Sequence, residues 1–310
     1  MEFSQYVNIE EYQDSFTYLD AKLIQLSTGF FNSTSQTFNN DLILLDRRVT
    51  QASFAHHCEL SKDTLNFVFC NSTPNLSING QQIEDKNQIV VFGGEDLSAI
   101  INGKLDITSI SLPMASIRPY FPEKFFQFTT LDGERIRSAN TSVIIREKIR
   151  VLVNIYLSLL EGNNISRQFI VDMTDNLLFK IMCYLESFEI SSSDNKQRLS
   201  VQEINRVLEF IFKTDVFSLK ELQAICMCSP RTLNNLINLH FGCPPNKLIS
   251  VMRLNKINAY LHETSSQQRT IKHICEKFGV YSRHRLAKDY HTMFGKSIKE
   301  TIKTVAEYAI

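Results

Sequence analysis

The first 115 residues alternate between short apolar runs and turn residues, a pattern typical of β-strands. The run over 76–80 ends in Asn79-Gly80, the strongest short signal for a β-hairpin. Strands of this kind with turn signals between them predict an antiparallel sandwich or barrel. The predicted strands contain residues 30–31, 42–45, 65–70, 76–80, 88–92 and 107–112.

Two longer segments, after an irregular stretch over 116–140, place apolar residues at helical spacing. The first runs from Ser142 to Leu160 and stops near Gly162. The second begins after Ser166, a residue suited to capping a helix N-terminus. Such a helical pair either packs within its own domain or forms a dimer interface, and the pattern leaves both open.

Residues 191–197 form a polar run of small residues and are the best linker candidate. They divide the chain into a β-rich domain with the helical pair over 1–190, a linker over 191–199 and a helical domain over 200–310. The predicted fold class is therefore α+β with two domains, which agrees with a length of 310 residues.

Helix-start signals recur at regular intervals after residue 200. Ser200 with Glu203, and Ser218 with Glu221, fit the capping box, in which Ser accepts from an amide three residues on while Glu reaches back. Further start signals are Ser229 before Pro230, Pro244 with Pro245, Thr270 and Ser282, and the stop signals are Gly242 and Gly279.

These signals predict a helix, a short turn and a second helix, twice over. The second helices begin after Ser229 and Ser282, and a long segment over about 245–261 joins the two units. A helix-turn-helix unit places its second helix in a major groove of DNA. Two units in one chain can therefore address two groove faces about 34 Å apart.

Charge is divided unevenly along a chain that is neutral in total. Residues 200–310 hold sixteen Lys and Arg against nine Asp and Glu, a net charge of +7, and the remainder carries −7. A basic half is a candidate for binding phosphate, and a solvated basic surface is the alternative. The composition, with 43% hydrophobic and 21% charged residues, is typical of a globular protein.

No apolar run approaches the about 20 residues that cross a bilayer, and the N-terminus does not resemble a secretory signal. The seven cysteines have no paired C-x-x-C spacing, so reduced thiols and a cytoplasmic location without membrane contact are expected. Cys226 and Cys228 have the spacing of half a metal site, but no second ligand pair stands nearby. No metal and no cofactor is therefore predicted.

Five ordered stretches after residue 228 carry the most specific signal: Ser-Pro-Arg-Thr-Leu-Asn-Asn-Leu at 229–236, Phe-Gly at 241–242, Arg-Leu-Asn-Lys-Ile at 253–257, Ile-Cys-Glu-Lys-Phe-Gly at 274–279 and Asp-Tyr-x3-Phe-Gly-Lys-Ser at 289–297. Together they resemble the DNA-binding region of the AraC/XylS family of bacterial transcription regulators, with details that favour the ethanolamine-operon regulator subgroup. The departures are Met227 for a Gly of the first turn, Val280 for a Phe, Ile298 for a Pro, and Gln223 (unless Ala224 takes its place) and Cys275 for small residues.

Each second helix exposes a set of side chains once its inward-facing positions are removed. Arg can bind guanine, and Asn adenine, through two hydrogen bonds, whereas Lys288 and His291 are expected to meet phosphate. The resemblance implies the same positions. The residues expected to contact DNA are Arg231, Thr232, Asn234, Asn235 and Asn238 in the first unit and Arg283, His284, Ala287, Lys288 and His291 in the second, with Arg285 near the edge.

The resemblance also implies a cupin-like N-terminal β domain that binds a small-molecule effector or forms a homodimer, and the strand pattern agrees with it. The cupin metal pattern of spaced His and Glu is absent. His56-His57-Cys58-Glu59 is the one dense group of metal-ligating residues. Adjacent His residues on a strand point to opposite faces, so a surface loop is expected here.

The predicted function is a sequence-specific transcription regulator that binds double-stranded DNA and is controlled by its N-terminal effector-binding or dimerisation domain. The alternative is a protein-interaction regulator whose helix-turn-helix-like domain no longer binds DNA. An enzyme is disfavoured, because the sequence has no phosphate loop, no H-E-x-x-H and no G-x-S-x-G motif.

Overall fold

Two antiparallel sheets form the N-terminal part of the protein in a computed structural model. The structure describes residues 2–16, 19–39, 43–61, 63–72, 75–83, 88–93, 96–117, 137–140, 143–160, 166–185, 195–213, 218–263 and 270–308. The strands are β1 (Glu2–Tyr6), β2 (Asp20–Gln25), β3 (Ser33–Asn39), β4 (Leu44–Thr50), β5 (Phe54–Glu59), β6 (Thr64–Cys70), β7 (Leu76–Ile78), β8 (Gln81–Ile83), β9 (Gln88–Gly93), β10 (Asp96–Ile101), β11 (Leu105–Pro113) and β12 (Arg137–Asn140).

The larger sheet has the strand order β1-β3-β4-β11-β6-β9-β12, and the smaller sheet has the order β2-β5-β10-β7-β8. The described helices are α1 (Ile9–Asp14), α2 (Met114–Ile117), α3 (Val143–Leu160), α4 (Arg167–Leu185), α5 (Asn195–Lys213), α6 (Leu219–Cys226), α7 (Pro230–Phe241), α8 (Pro245–Glu263), α9 (Ile271–Lys277), α10 (Arg283–Phe294) and α11 (Ile298–Tyr308).

Alternation along the strands decides which layer each side chain enters. In β5, Phe54 and Cys58 belong to the core between the two sheets, whereas Ala55 belongs to the core shared with the C-terminal helices. In β6, Val68 lies in the core between the sheets, and its neighbour Phe67 packs with the helical pair on the other side. The central strands β5 and β6 therefore bury side chains on both faces of their sheets.

The layers follow from these three cores. The helical pair α3 and α4 covers the outer face of the larger sheet, where it packs on Leu45, Leu65 and Ile110. The C-terminal helices cover the outer face of the smaller sheet, where Ile24 and Ile100 join their core. The expected antiparallel β domain with a helical pair, followed by an all-helical domain, is confirmed.

Two local predictions are confirmed by backbone geometry and hydrogen bonds. Asn79 and Gly80 both have positive φ, 44° and 80°, as a type I′ hairpin turn requires between β7 and β8. Ser166 caps α4, because its Oγ accepts from the amide of Phe169 at 3.2 Å.

Other predictions differ from the structure. Residues 56–59 do not form a surface loop: they belong to β5, which pairs with β2 and β10 on its two sides. Residues 30–31 lie in the loop before β3 rather than in a strand. Within the stretch expected to be irregular, residues 137–140 form β12 and pair with β9.

Ser200 does not cap a helix, because α5 begins at Asn195 and Ser200 lies inside it. A Ser-x-x-Glu spacing is compatible with a helix interior as well as with a helix start, and the mostly polar residues before Ser200 tolerate helical backbone. Residues 195–199 are thus helical, and 191–194 lie outside the described residues. The division into 1–190, 191–199 and 200–310 stays a prediction.

Candidate nucleic-acid interface

The first helix-turn-helix unit consists of α6, a turn and α7. Ser218 caps α6 as predicted, because its Oγ accepts from the amide of Glu221 at 3.2 Å. Ser229 caps α7 in the same way, accepting from the amide of Thr232 at 3.1 Å, and Pro230 takes the first helical position. The local sequence therefore sets where the second helix begins.

The second unit repeats this construction with α9 and α10. Thr270 caps α9 by accepting from the amide of His273 at 3.2 Å, and Ser282 caps α10 by accepting from the amide of Arg285 at 3.2 Å. Both caps confirm the sequence prediction. The turn between the helices contains Gly279 at a φ of 62°, where a residue without Cβ is favoured.

The joining helix α8 and the inward faces of both second helices share one hydrophobic core. This core holds the two units together as one body, because side chains from each unit pack on the same helix. The apolar side chains on the inner faces of these helices are buried, among them Leu233, Leu236 and Ile237 of α7, Leu286 and Tyr290 of α10, and Leu222 and Ile274 of the first helices.

Every side chain expected to contact DNA is exposed. In α7 these are Arg231, Thr232, Asn234, Asn235 and Asn238, and in α10 they are Arg283, His284, Ala287, Lys288 and His291. They therefore lie on the solvent-facing sides of the two helices. Base contact itself stays a prediction.

Local contacts limit the freedom of some of these side chains. The Asn238 side-chain amide donates to the carbonyl of Asn234 at 2.8 Å, one turn earlier in α7. Arg285, near the edge of α10, lies 3.5 Å from the carboxylate of Asp289. This ion pair is solvent-exposed, and such pairs contribute little to stability. Arg285 can therefore exchange Asp289 for a phosphate at small cost.

Met227 forms the turn of the first unit in a left-handed conformation, with φ 51° and ψ 29°. A side chain with Cβ is strained in this region by about 1–2 kcal/mol, whereas Gly is not. We expect Met227→Gly to raise the free energy of unfolding by about 1 kcal/mol, since the side chain is 83% exposed and loses little packing.

Chemical unfolding followed by circular dichroism measures the effect of Met227→Gly. Ala224→Gly is the matched control, because Ala224 is exposed within α6, where Gly costs about 0.5–1 kcal/mol. Equal destabilisation by both substitutions would show that the turn places no demand on φ.

Two cysteines, Cys226 and Cys228, lie beside the turn of the first unit. Burial raises the pKa of Cys226 to about 12, and the pKa of Cys228 is raised for the same reason. Over the described ranges, no group of three or more His, Cys, Asp or Glu could hold a metal ion. No helix within those ranges combines the length and hydrophobicity that a membrane span needs.

The sequence patterns did not predict a group of polar residues that connects the two helix-turn-helix units to the β domain. Gln25 and Asn102 of the β domain bond to the C-terminal helices, and Asn255 of α8 bonds back to Gln25. Asn255 is 8% exposed, and its local sequence does not mark it as buried, because α8 carries Asn, Lys and Arg along its length.

Residues 223–304 match the family model of a helix-turn-helix domain. This part of the chain is a helix-turn-helix domain. It is similar to the XylDLEGF operon transcriptional activator of Pseudomonas putida, with 34% identity over 101 residues, which are 32% of this chain and 31% of the relative. XylDLEGF operon transcriptional activator 3 of the same organism is 27% identical over 119 residues, 37% of this chain and 36% of the relative. The matched segment spans about a third of the length of these curated relatives.

Two solved structures align with most of this chain, but their TM-scores and sequence identities are low. The AraC-like transcriptional activator CuxR has a TM-score of 0.44 and 12% identity, covering 84% of this chain and 95% of that chain. ToxT from Vibrio cholerae has a TM-score of 0.28 and 13% identity, covering 93% and 98%. These values are too low to carry a function across. Membership of the ethanolamine-operon regulator subgroup stays a prediction.

Proposed function

We propose that the protein is a transcription regulator that binds specific sites on double-stranded DNA through α7 and α10. One observation supports this most directly: two second helices, each with its own N-cap, bury their apolar side chains in one core and expose Arg, Asn, His and Lys outward. Arg and Asn on a groove-sized helix are suited to reading guanine and adenine. The activator relatives support the same function for residues 223–304.

The N-terminal domain, in this proposal, controls DNA binding through dimerisation or a small-molecule effector. Val151 and Ile155, one turn apart on α3, are 49% and 46% exposed, and Phe179 of α4 is 52% exposed. Apolar side chains exposed on adjacent helices favour a homodimer formed by the helical pair. We further propose a cytoplasmic location and no enzymatic activity.

DNA binding is tested with the full chain and duplexes that it selects from a random library, by fluorescence anisotropy at several salt concentrations. Affinity should fall steeply as salt rises, because bound Lys and Arg release counterions from the phosphates. If the protein selects no duplex from the library, or if its affinity does not respond to salt, the protein-interaction alternative is favoured.

Lys288→Ala is expected to weaken binding to all selected duplexes alike and to reduce the slope of log affinity against log salt by about 1. The reason is that a phosphate contact contributes electrostatic attraction but no base choice. Lys104→Ala is the control, since Lys104 is exposed on the β domain. An unchanged slope for Lys288→Ala would remove this residue from the phosphate-contacting set.

A further inference from the structure

The β domain and the C-terminal helices meet over the outer face of the smaller sheet. Ile24, Ala55 and Ile100 are buried in the same core as helices α5 to α11. The ring of His57 in β5 stacks on Phe212 of α5, with centroids 5.3 Å apart and planes inclined by 25°. The β domain and the C-terminal helices are thus in apolar contact. Hydrogen bonds between them surround this apolar contact.

The first set of hydrogen bonds reaches the second unit. The Asn255 side chain pairs with the backbone of Gln25 in both directions: its Oδ1 accepts from the amide at 2.8 Å, and its Nδ2 donates to the carbonyl at 2.9 Å. Gln25 Nε2 donates to the Met293 carbonyl at 3.1 Å. The Gly29 amide donates to the carbonyls of Thr292 and Met293 at 3.2 and 3.0 Å. The last turn of α10 is therefore capped by the β domain.

A second set of hydrogen bonds also connects the β domain to α8 and α10. Asn258 of α8 donates to the Glu10 carboxylate of α1 and accepts from the Tyr290 hydroxyl, which also lies 3.1 Å from Thr301 Oγ1. Tyr290 is fully buried in α10. Burial raises the pKa of Glu10, with the nearby Lys296 lowering it in part.

Side chains of the smaller sheet also lie within hydrogen-bonding distance of the last turn of α7. Asn102, at the end of β10, donates from Nδ2 to the His240 carbonyl at 2.7 Å, and Gln82 Nε2 lies 3.4 Å from His240 Nδ1. A cavity of about 100 Å³ lies beside this contact, lined by Asn102 and Lys247 among others. The contact with the first unit thus includes two polar side chains of the smaller sheet.

We propose that Gln25, Gly29, Asn102 and Asn255 form an interdomain clamp that sets the separation of α7 and α10, and with it the distance between the two DNA half-sites the protein accepts. Both helices are held at their C-terminal ends, while their DNA-facing side chains stay exposed. Docking therefore leaves the reading surface open. These four are positioning residues, and the inference rests on the proposed DNA binding.

The clamp restricts the half-site spacings at which the protein binds an operator. Two helices held at a fixed separation fit adjacent major grooves at one half-site spacing, because each added base pair both lengthens and rotates the site. Without the clamp, the units are joined through α8 and the core that packs on it, and this packing can shift enough to accept other spacings. Loss of the clamp should therefore reduce spacing selectivity more than affinity for a single half-site.

The test uses the full chain and a duplex it selects from a random library, remade with 1 to 5 base pairs inserted between the half-sites and as a single half-site. The variant is Asn102→Ala with Asn255→Ala, and Asn246→Ala, an exposed Asn of the same helix α8, is the control. Hydrogen exchange of the Gly29 amide reports directly whether the domains are docked. Because Asn255 is buried, Asn102→Ala with Phe30→Ala is a milder second variant: Phe30 is 71% exposed, and its ring lies beside Gly295 at the end of α10, where a Cβ would come within 2.9 Å of it.

We expect wild type and control to prefer the selected spacing by about 10-fold or more over the longer ones, and the variants to retain about 2-fold at most, with half-site affinity unchanged. The Gly29 amide should exchange faster in the variants. Faster exchange with unchanged spacing selectivity would overturn the inference, as would unchanged exchange in both variants or a wild type indifferent to spacing. If Asn102→Ala with Asn255→Ala loses half-site binding through unfolding, the milder variant decides. A wild type that selects no duplex refutes the proposed function instead.

Discussion

Replacing Arg231 or Asn235 by Ala is expected to lower operator affinity by about 1–3 kcal/mol each and to relax base choice at one position. Both side chains are exposed on α7, one turn apart, while Leu233 between them is buried. A guanidinium that bonds guanine O6 and N7, or an amide that bonds adenine N6 and N7, rejects the wrong base because its own donors and acceptors then lack partners.

The effect is measured by anisotropy with the selected operator and with copies that carry each single base change. Relaxation at one position, with the other positions unchanged, separates a base contact from a general loss of affinity. Asn246→Ala again serves as control, because it removes an exposed Asn from the neighbouring helix α8. A footprint and a base preference that neither substitution changes would remove α7 from the DNA-reading surface.

The helical half of the fold could be predicted because its signals are local. The four helix-start residues predicted from the sequence each accept from an amide three residues on, as an N-cap does: Ser218, Ser229, Thr270 and Ser282. Burial of apolar positions at helical spacing then separates the inward face from the exposed one. The candidate DNA-facing side chains follow from that separation alone.

Ser200 shows where a local signal fails. It has the spacing of a capping box with Glu203, yet α5 continues through it to Asn195. A Ser-x-x-Glu spacing is also compatible with the helix interior, so the motif marks a helix without fixing its first residue.

The β domain was harder to predict because central strands such as β5 and β6 bury side chains on both faces. Such strands lack the alternation of apolar and polar residues that marks a strand with one face in water. In β5, His56 and His57 look polar in sequence. His56 is nevertheless so enclosed that burial lowers its pKa to about 3, and His57 stacks on Phe212. The bond between Gln25 and Asn255 joins residues 230 positions apart, and no local pattern reports it.

Asp46→Ala is expected to destabilise the β domain by about 3–5 kcal/mol, because it leaves the Arg48 guanidinium buried without its carboxylate. The two side chains are 2% and 4% exposed, and Arg48 Nε lies 2.5 Å from Asp46 Oδ2. The guanidinium also lies 3.6 Å from the ring centre of Phe16 and donates to Ser15 Oγ at 2.8 Å. These contacts do not replace the lost charge.

The measurement is urea unfolding followed by circular dichroism, with a double variant and a surface pair as comparisons. Asp46→Ala with Arg48→Met should recover most of the loss, because an apolar side chain of similar length needs no counterion. Glu209→Ala, in the exposed pair with Lys213 at 59% and 56% exposure, should cost less than about 1 kcal/mol. A single variant no more harmful than Glu209→Ala would mean that water reaches Arg48. A double variant as unstable as the single one would show that Arg48 is needed for its contact with Phe16 rather than for its charge.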